Sequence, residues 1–137
     1  IAGSGPDRER LEKIARDPKF EHLVEFLGYA SDEEKIKHLK KCRALIVTQL
    51  EDFGITPLES MACGTPVVAY KKGGVLETVE ENKTGMFFDE QTPQSLEAVL
   101  KDFSKSDFDK QNIINLANKF DIKQFNEKFM NLVNNLI

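Results

Sequence analysis

Between Gln49 and Glu59 the chain reads Gln-Leu-Glu-Asp-Phe-Gly-Ile-Thr-Pro-Leu-Glu, and three features of that run suit one kind of ligand. Gly54 permits a turn that bulkier residues resist, and it lets backbone N–H groups come close to a bound molecule. Thr56 and Pro57 signal a helix start, whose free N–H groups and positive dipole end suit an anion such as a pyrophosphate. Glu51 and Glu59 flank this cradle. Ionised carboxylates only accept hydrogen bonds, so their natural partners are hydroxyl groups and not phosphate oxygens. A diphosphate carrying a polyol at each end fits such an arrangement, and a nucleotide-sugar is a molecule of that form. Plainer readings stand beside this one. Glu59, three residues after Thr56, could simply complete a capping box, and Glu51 with Asp52 could be a solvated loop corner.

The elements around this run are those of an α/β sheet. Ala44 to Thr48 and Pro66 to Tyr70 are apolar runs of strand length, of the kind buried on both faces of a parallel sheet. The spacing predicts helices over Asp7–Arg16, from Ser31-Asp32-Glu33-Glu34 (a capping box) to about Lys41, and from Thr56 to Gly64. Short strands are expected at Leu23–Leu27 and Met86–Phe88, a short helix at Val75–Glu81, and a longer one from Thr92-Pro93 to Phe103. The remainder is helical and Asn-rich, with Phe125, Phe129, Leu132, Val133 and Leu136 on one face. Strand and helix alternate with short connections, the pattern of a doubly wound, Rossmann-like parallel sheet with flanking helices. In such sheets ligands bind outside the carboxyl ends of the strands, so the loops after Ile1, Leu27, Thr48 and Tyr70 are where chemistry is expected.

Composition bounds the rest. The 137 residues carry a formal net charge of −4 with no Lys/Arg stripe, which argues against nucleic acid as a partner. No apolar run approaches the length of a membrane span, and the two cysteines, Cys42 and Cys63, read as thiols of a reducing, cytoplasmic compartment. The chain opens Ile1-Ala2-Gly3-Ser4-Gly5-Pro6, like the last step of a strand and its turn, and is expected to be a piece of a larger protein.

Several local patterns carry less. In Gly3-Ser4-Gly5 the third glycine of a dinucleotide fingerprint is replaced by Arg8. Asp107-Phe108-Asp109 mimics a metal-binding Asp-x-Asp, but it falls between helical segments in a Lys/Ser-rich stretch and reads as a solvated linker. Asn82-Lys83-Thr84 matches a glycosylation acceptor that a cytoplasmic chain would never present to the machinery. His22 and His38 lack partners at ligand spacing, so no metal site is expected. Cys63 sits in a helix of small residues that suits close packing on a sheet. The Phe125–Leu136 stripe is expected to pack within the protein and not to lie on a membrane, since its polar face has few Lys or Arg.

Glu51 to Ala69 as a whole, with two glutamates separated by seven residues, a small-residue helix and then Gly64-Thr65-Pro66-Val67-Val68, resembles the signature of the group 1 (family 4) glycosyltransferases. The flanks agree: Gly3-Ser4-Gly5-Pro6, Phe26-Leu27-Gly28-Tyr29, Gly73-Gly74 with Glu77, and Thr84-Gly85. The resemblance covers nearly the whole chain. It implies a two-lobed enzyme, each lobe a Rossmann-like sheet, of which residues 1–137 would be most of the carboxyl-terminal, donor-binding lobe, truncated at its amino end, with the acceptor lobe absent. Glu51 would be the catalytic candidate, on hydroxyls of the transferred sugar, and Glu59 would hold the ribose diol. Backbone around Phe53, Gly54, Ile55 and Thr56 would face sugar and diphosphate, with Gly3 at the first turn and Tyr29 near the base. The reaction it implies is a retaining, metal-independent transfer of a hexosyl-type sugar from a nucleotide-sugar donor to an unknown acceptor, with no cofactor. The family's diphosphate-clamping Arg and Lys fall upstream of Ile1, so the fragment alone is expected to be inactive, and any membrane contact would be made by the missing lobe. A non-catalytic binding or scaffold module is the alternative.

Overall fold

A computed structural model describes residues 1–20, 22–104 and 106–136. Clustering of contacts divides the chain into two compact units, Ile1–Lys37 and His38–Ile137.

In the first unit, helix α1 (Arg8–Ala15) follows the Gly3-to-Pro6 turn. Asp7 precedes it and accepts two hydrogen bonds from the Arg10 guanidinium, which hold its carboxyl below the usual carboxylate range. The strand expected at Leu23–Leu27 is not regular. The segment makes a single parallel bridge, Ala2 to Gly28, with Leu27 N–H donating to the Ile1 carbonyl at 2.9 Å. Leu23 stands 75% exposed, where a place in a regular sheet would have buried it. Helix α2 (Asp32–Lys41) runs across the division between the units. It begins with the expected capping box: Ser31 N–H donates to the Glu34 carboxylate at 2.9 Å, and Glu34 N–H donates to Ser31 Oγ at 3.3 Å.

The second unit is built on a three-stranded parallel sheet in the order β1 (Leu45–Val47), β2 (Val67–Tyr70), β3 (Gly85–Phe88). Helix α3 (Ile55–Ala62) connects β1 to β2, and the short α4 (Val75–Thr78) connects β2 to β3. Then follow α5 (Pro93–Phe103), α6 (Lys110–Ala117), a 3-10 turn at Asn118–Phe120 and α7 (Ile122–Asn134). Successive strand residues point to opposite faces, and the core divides accordingly. Val47, Val67, Ala69 and Phe87 pack with Met61 of α3, with Val75 and Val79, and with Ile113 and Leu116 of α6. On the other face Val68 and Phe88 pack with Phe103 of α5, flanked by Tyr70, Leu96 and Leu100. This is the expected parallel α/β sheet with helices on both faces.

One expectation about burial is corrected. Ile46, in register with Val68, remains 45% exposed, because β1 is an edge strand and α5 packs beside β3, at the far edge. The stripe of α7 is left open by the described residues of this chain except at Val133, which is half-buried. Phe125, Phe129 and Leu132 are all more than half exposed, and no described residue of this helix is buried.

Candidate functional site

The carboxyl end of β1 leads through Thr48 and Gln49 into the Glu51–Gly54 loop, and the carboxyl end of β2 leads through Lys71 and Lys72 into Gly73-Gly74. The two loops are joined main chain to main chain. Glu51 and Gly73 form a parallel bridge, and Gly74 N–H donates to the Glu51 carbonyl at 2.7 Å. The glycines are required by this approach. A Cβ on Gly73 would overlap the Glu51 carbonyl oxygen and one on Gly74 the Asp52 carbonyl oxygen, and Gly73 also holds φ +80°, in the left-handed region. The sequence marks these glycines as a turn; their role as the wall against which the Glu51 loop rests follows from the structure.

Gly54 is the N-cap of α3 and adopts φ 87°, ψ 53°. It has no side chain to cap the helix, so the first-turn N–H groups of Ile55 and Thr56 meet no capping oxygen, and the first turn carries no acidic residue. The helix therefore starts at Ile55, one residue before the expected start. Thr56 is its second residue and not its cap, so the capping-box reading of Glu59 falls away. Glu59 instead lies one turn beyond Ile55 on the same side of α3, half-buried, in a helix whose other side is pinned to the sheet by Pro57, Ser60 and Met61. Phe53 and Ile55 are 57% and 66% exposed, and Thr56 is exposed too, so the residues of the helix start face outward around a buried Gly54.

Glu51 is half-buried, and its Oε1 accepts a hydrogen bond from Gln49 Nε2 at 2.7 Å. From the loop before α5, Gln91 Nε2 donates to the Thr48 carbonyl at 2.8 Å. Neither glutamine belongs to a motif, and a lone Gln carries no sequence signal of such a role. Glu51, Phe53, Gly54, Ile55, Thr56 and Glu59 thus gather around one loop and one helix start in the second unit.

Gly3 and Tyr29 belong to the first unit. Gly3 N–H is used in pairing, donating to the Gly28 carbonyl at 2.6 Å, and Tyr29 is 89% exposed. A depression of about 260 Å³ beside Gly3 is lined by Ser4, Gly5, Arg8, Leu11 and Phe26. A larger one of about 530 Å³ runs along α1 past Arg10, Lys13 and Phe20. Neither includes Glu51 or Glu59.

The weaker patterns resolve structurally. Asp109 is the N-cap of α6, its Oδ1 accepting from Asn112 N–H at 2.9 Å. Cys63 closes α3 and is half-buried, while burial pushes the Cys42 thiol above its ordinary range. Among the described residues no three His, Cys, Asp or Glu side chains gather in a group able to hold a metal ion. No helix of the described residues is long and apolar enough to cross a membrane.

The sequence profile of "Glycosyl transferases group 1" matches residues 1–120. An uncharacterised glycosyltransferase of Methanocaldococcus jannaschii is 33% identical over 124 residues, which are 87% of this chain and 31% of that protein. The GDP-mannose-dependent alpha-(1-6)-phosphatidylinositol monomannoside mannosyltransferase of Mycobacterium tuberculosis is 39% identical over 97 residues, covering 65% of this chain and 25% of that one. Among solved structures, Anabaena HepE in complex with UDP superposes with a TM-score of 0.76 at 25% identity, covering 98% of this chain and 40% of its own. This chain thus spans from a quarter to two fifths of the length of these proteins. The profile match over residues 1–120, on a parallel α/β sheet whose glycine-started helix follows one glutamate and carries the other, shows that the chain belongs to the group 1 glycosyl transferases.

Proposed function

We propose that this chain is the nucleotide-sugar-binding part of a two-lobed enzyme that transfers a hexosyl-type sugar, with retention and without a metal ion, to an acceptor bound by another part of the protein. The observation that carries the reading is the start of α3. An uncapped helix N-terminus, opened by a left-handed glycine, lies between two carboxylates that can only accept. In this reading the Ile55 and Thr56 amides and the dipole of α3 take the negative charge that grows on the diphosphate as the bond from the sugar C1 to its oxygen breaks. Glu59 accepts from the ribose hydroxyls and Glu51 from those of the sugar. Roles for Tyr29 at the base and Gly3 at the donor rest on the family resemblance alone. HepE, one structural relative, was solved with UDP and with UDP-glucose, and the mycobacterial relative is GDP-mannose-dependent; both support a nucleoside diphosphate sugar as the ligand class.

Ligand-observed NMR with UDP, GDP and ADP, each alone and as a sugar conjugate, tests the assignment. Glu59→Ala should cost about 1.5–3 kcal/mol of affinity for the bare nucleotide, the loss of a charged acceptor for two hydroxyls. Glu51→Ala should leave the bare nucleotide bound and weaken only its sugar conjugate. Wild-type affinity in both variants would remove the reading and leave a module without a donor site. A chelator that abolishes transfer by the full-length enzyme would overturn metal independence, and the anomeric configuration of the product, read by NMR, decides retention.

A further inference from the structure

We propose that Gln49 is a positioning residue that orients the Glu51 carboxylate towards the donor sugar; the inference rests on the reading of Glu51 given above. The main chain on either side of this pair is already fixed. Gln91 holds the Thr48 carbonyl from the loop before α5, and Gly73-Gly74 holds Glu51 by a bridge and a 2.7 Å hydrogen bond to its carbonyl. What the backbone does not settle is the half-buried Glu51 side chain, which has three rotatable bonds. Gln49 settles it. Gln49 sits at a bend two residues before Glu51, and the 2.7 Å bond from its Nε2 to Glu51 Oε1 ties the carboxylate at one oxygen.

The chemistry of the pair suits this task. A carboxylate has no proton to give, so the Gln49 amide must present its NH2 group to it, and no flipped arrangement serves. The amide is neutral. Unlike a lysine or arginine, it holds the carboxylate without cancelling the charge that a sugar hydroxyl would meet. Among the described residues Gln49 is the side chain bonded to this carboxylate, at Oε1, which leaves Oε2 for a ligand. A side chain held in advance in its binding orientation loses less freedom when the ligand arrives, and affinity is gained without a new contact.

The test is a double-mutant cycle on the full-length protein that carries this chain. Calorimetry compares UDP with UDP-glucose and GDP with GDP-mannose, for wild type, Gln49→Ala, Glu51→Ala and the double variant. Gln49 is exposed, so its replacement should not disturb folding. Gln49→Ala should weaken the sugar conjugate about three- to tenfold, the range for loss of one hydrogen bond, with the bare nucleotide unchanged. In the Glu51→Ala background the same change should do nothing, because there is no carboxylate left to orient.

Gln49→Glu supplies a second signature. Two adjacent carboxylates repel, which raises the pKa of one of them. The sugar conjugate should bind poorly at pH 8 and recover as the pH falls towards about 5, where a shared proton turns one carboxyl into a donor. Sugar discrimination that drops in Glu51→Ala but not in Gln49→Ala overturns this inference alone. Discrimination unaffected by Glu51→Ala, or wild type preferring neither conjugate to its bare nucleotide, overturns the reading of Glu51 and the role of Gln49 with it.

Discussion

Glu51 is held by contacts that differ in kind, and each predicts a different failure. Gln49 holds its carboxylate; Gly73 and Gly74 hold its main chain. Replacing Gly73 by Ala puts a methyl group against the Glu51 carbonyl oxygen and keeps an L-residue at φ +80°. Both effects act at one place, and nothing flexible there can give way except the loop itself. Gly73→Ala should therefore cost about 1–3 kcal/mol in urea unfolding, the range for overpacking and backbone strain. It should also weaken the sugar conjugate, since the displaced atom belongs to Glu51. Gly5→Ala is the matched control: a Cβ there meets nothing within 4 Å and φ is not positive, so stability should change by less than about 0.5 kcal/mol. Equal losses at the two positions would contradict the close approach of the loops.

At the level of elements, what the sequence makes legible are the features written in side chains. Ser31 with Glu34 and Thr92 with Pro93 announce their helices; the first pair forms a capping box, and the Thr92 hydroxyl caps α5 by accepting from Ser95 N–H. The start of α3 is displaced by one residue because its cap is Gly54, whose signal is a backbone angle and not a functional group, while the neighbouring Thr56 offers a more familiar hydroxyl. The segment 23–27 has the composition of a strand but only a single bridge, and a strand depends on its neighbours as much as on its own residues. The two glutamates were visible as a pair in the sequence. Gln49 and Gln91 were not, since their roles follow from tertiary geometry. Asp109 is a residue whose two readings can be separated at this scale. As the cap of α6, Asp109→Ala should cost about 0.5–2 kcal/mol of stability, and Asp109→Asn, which keeps the accepting oxygen, should restore most of it. As a metal ligand, either change would alter the metal response of transfer and leave urea unfolding untouched.

For the molecule as a whole, stability should reside in the two layers that cover the sheet, and the carboxyl-terminal helix should add little to it. Ile113 of α6 is completely buried between α3 and the strands. Truncating it removes several buried carbons from a packed interior, so Ile113→Ala should cost about 2–5 kcal/mol, depending on how far the site can collapse. Phe125 and Phe129 form the opposite case. Their rings stack at 5.9 Å between centroids, yet both remain more than half in water, so folding removes little of their apolar area from solvent. Serine and phenylalanine rank together in helix propensity, and an i,i+4 aromatic contact contributes only about 0.2–0.5 kcal/mol. The double variant Phe125→Ser/Phe129→Ser should accordingly shift urea unfolding of this chain by less than about 1 kcal/mol. A loss as large as that of Ile113→Ala would mean that the face of α7 is packed against protein in solution, and the division of stability argued here would then be wrong at its carboxyl-terminal end.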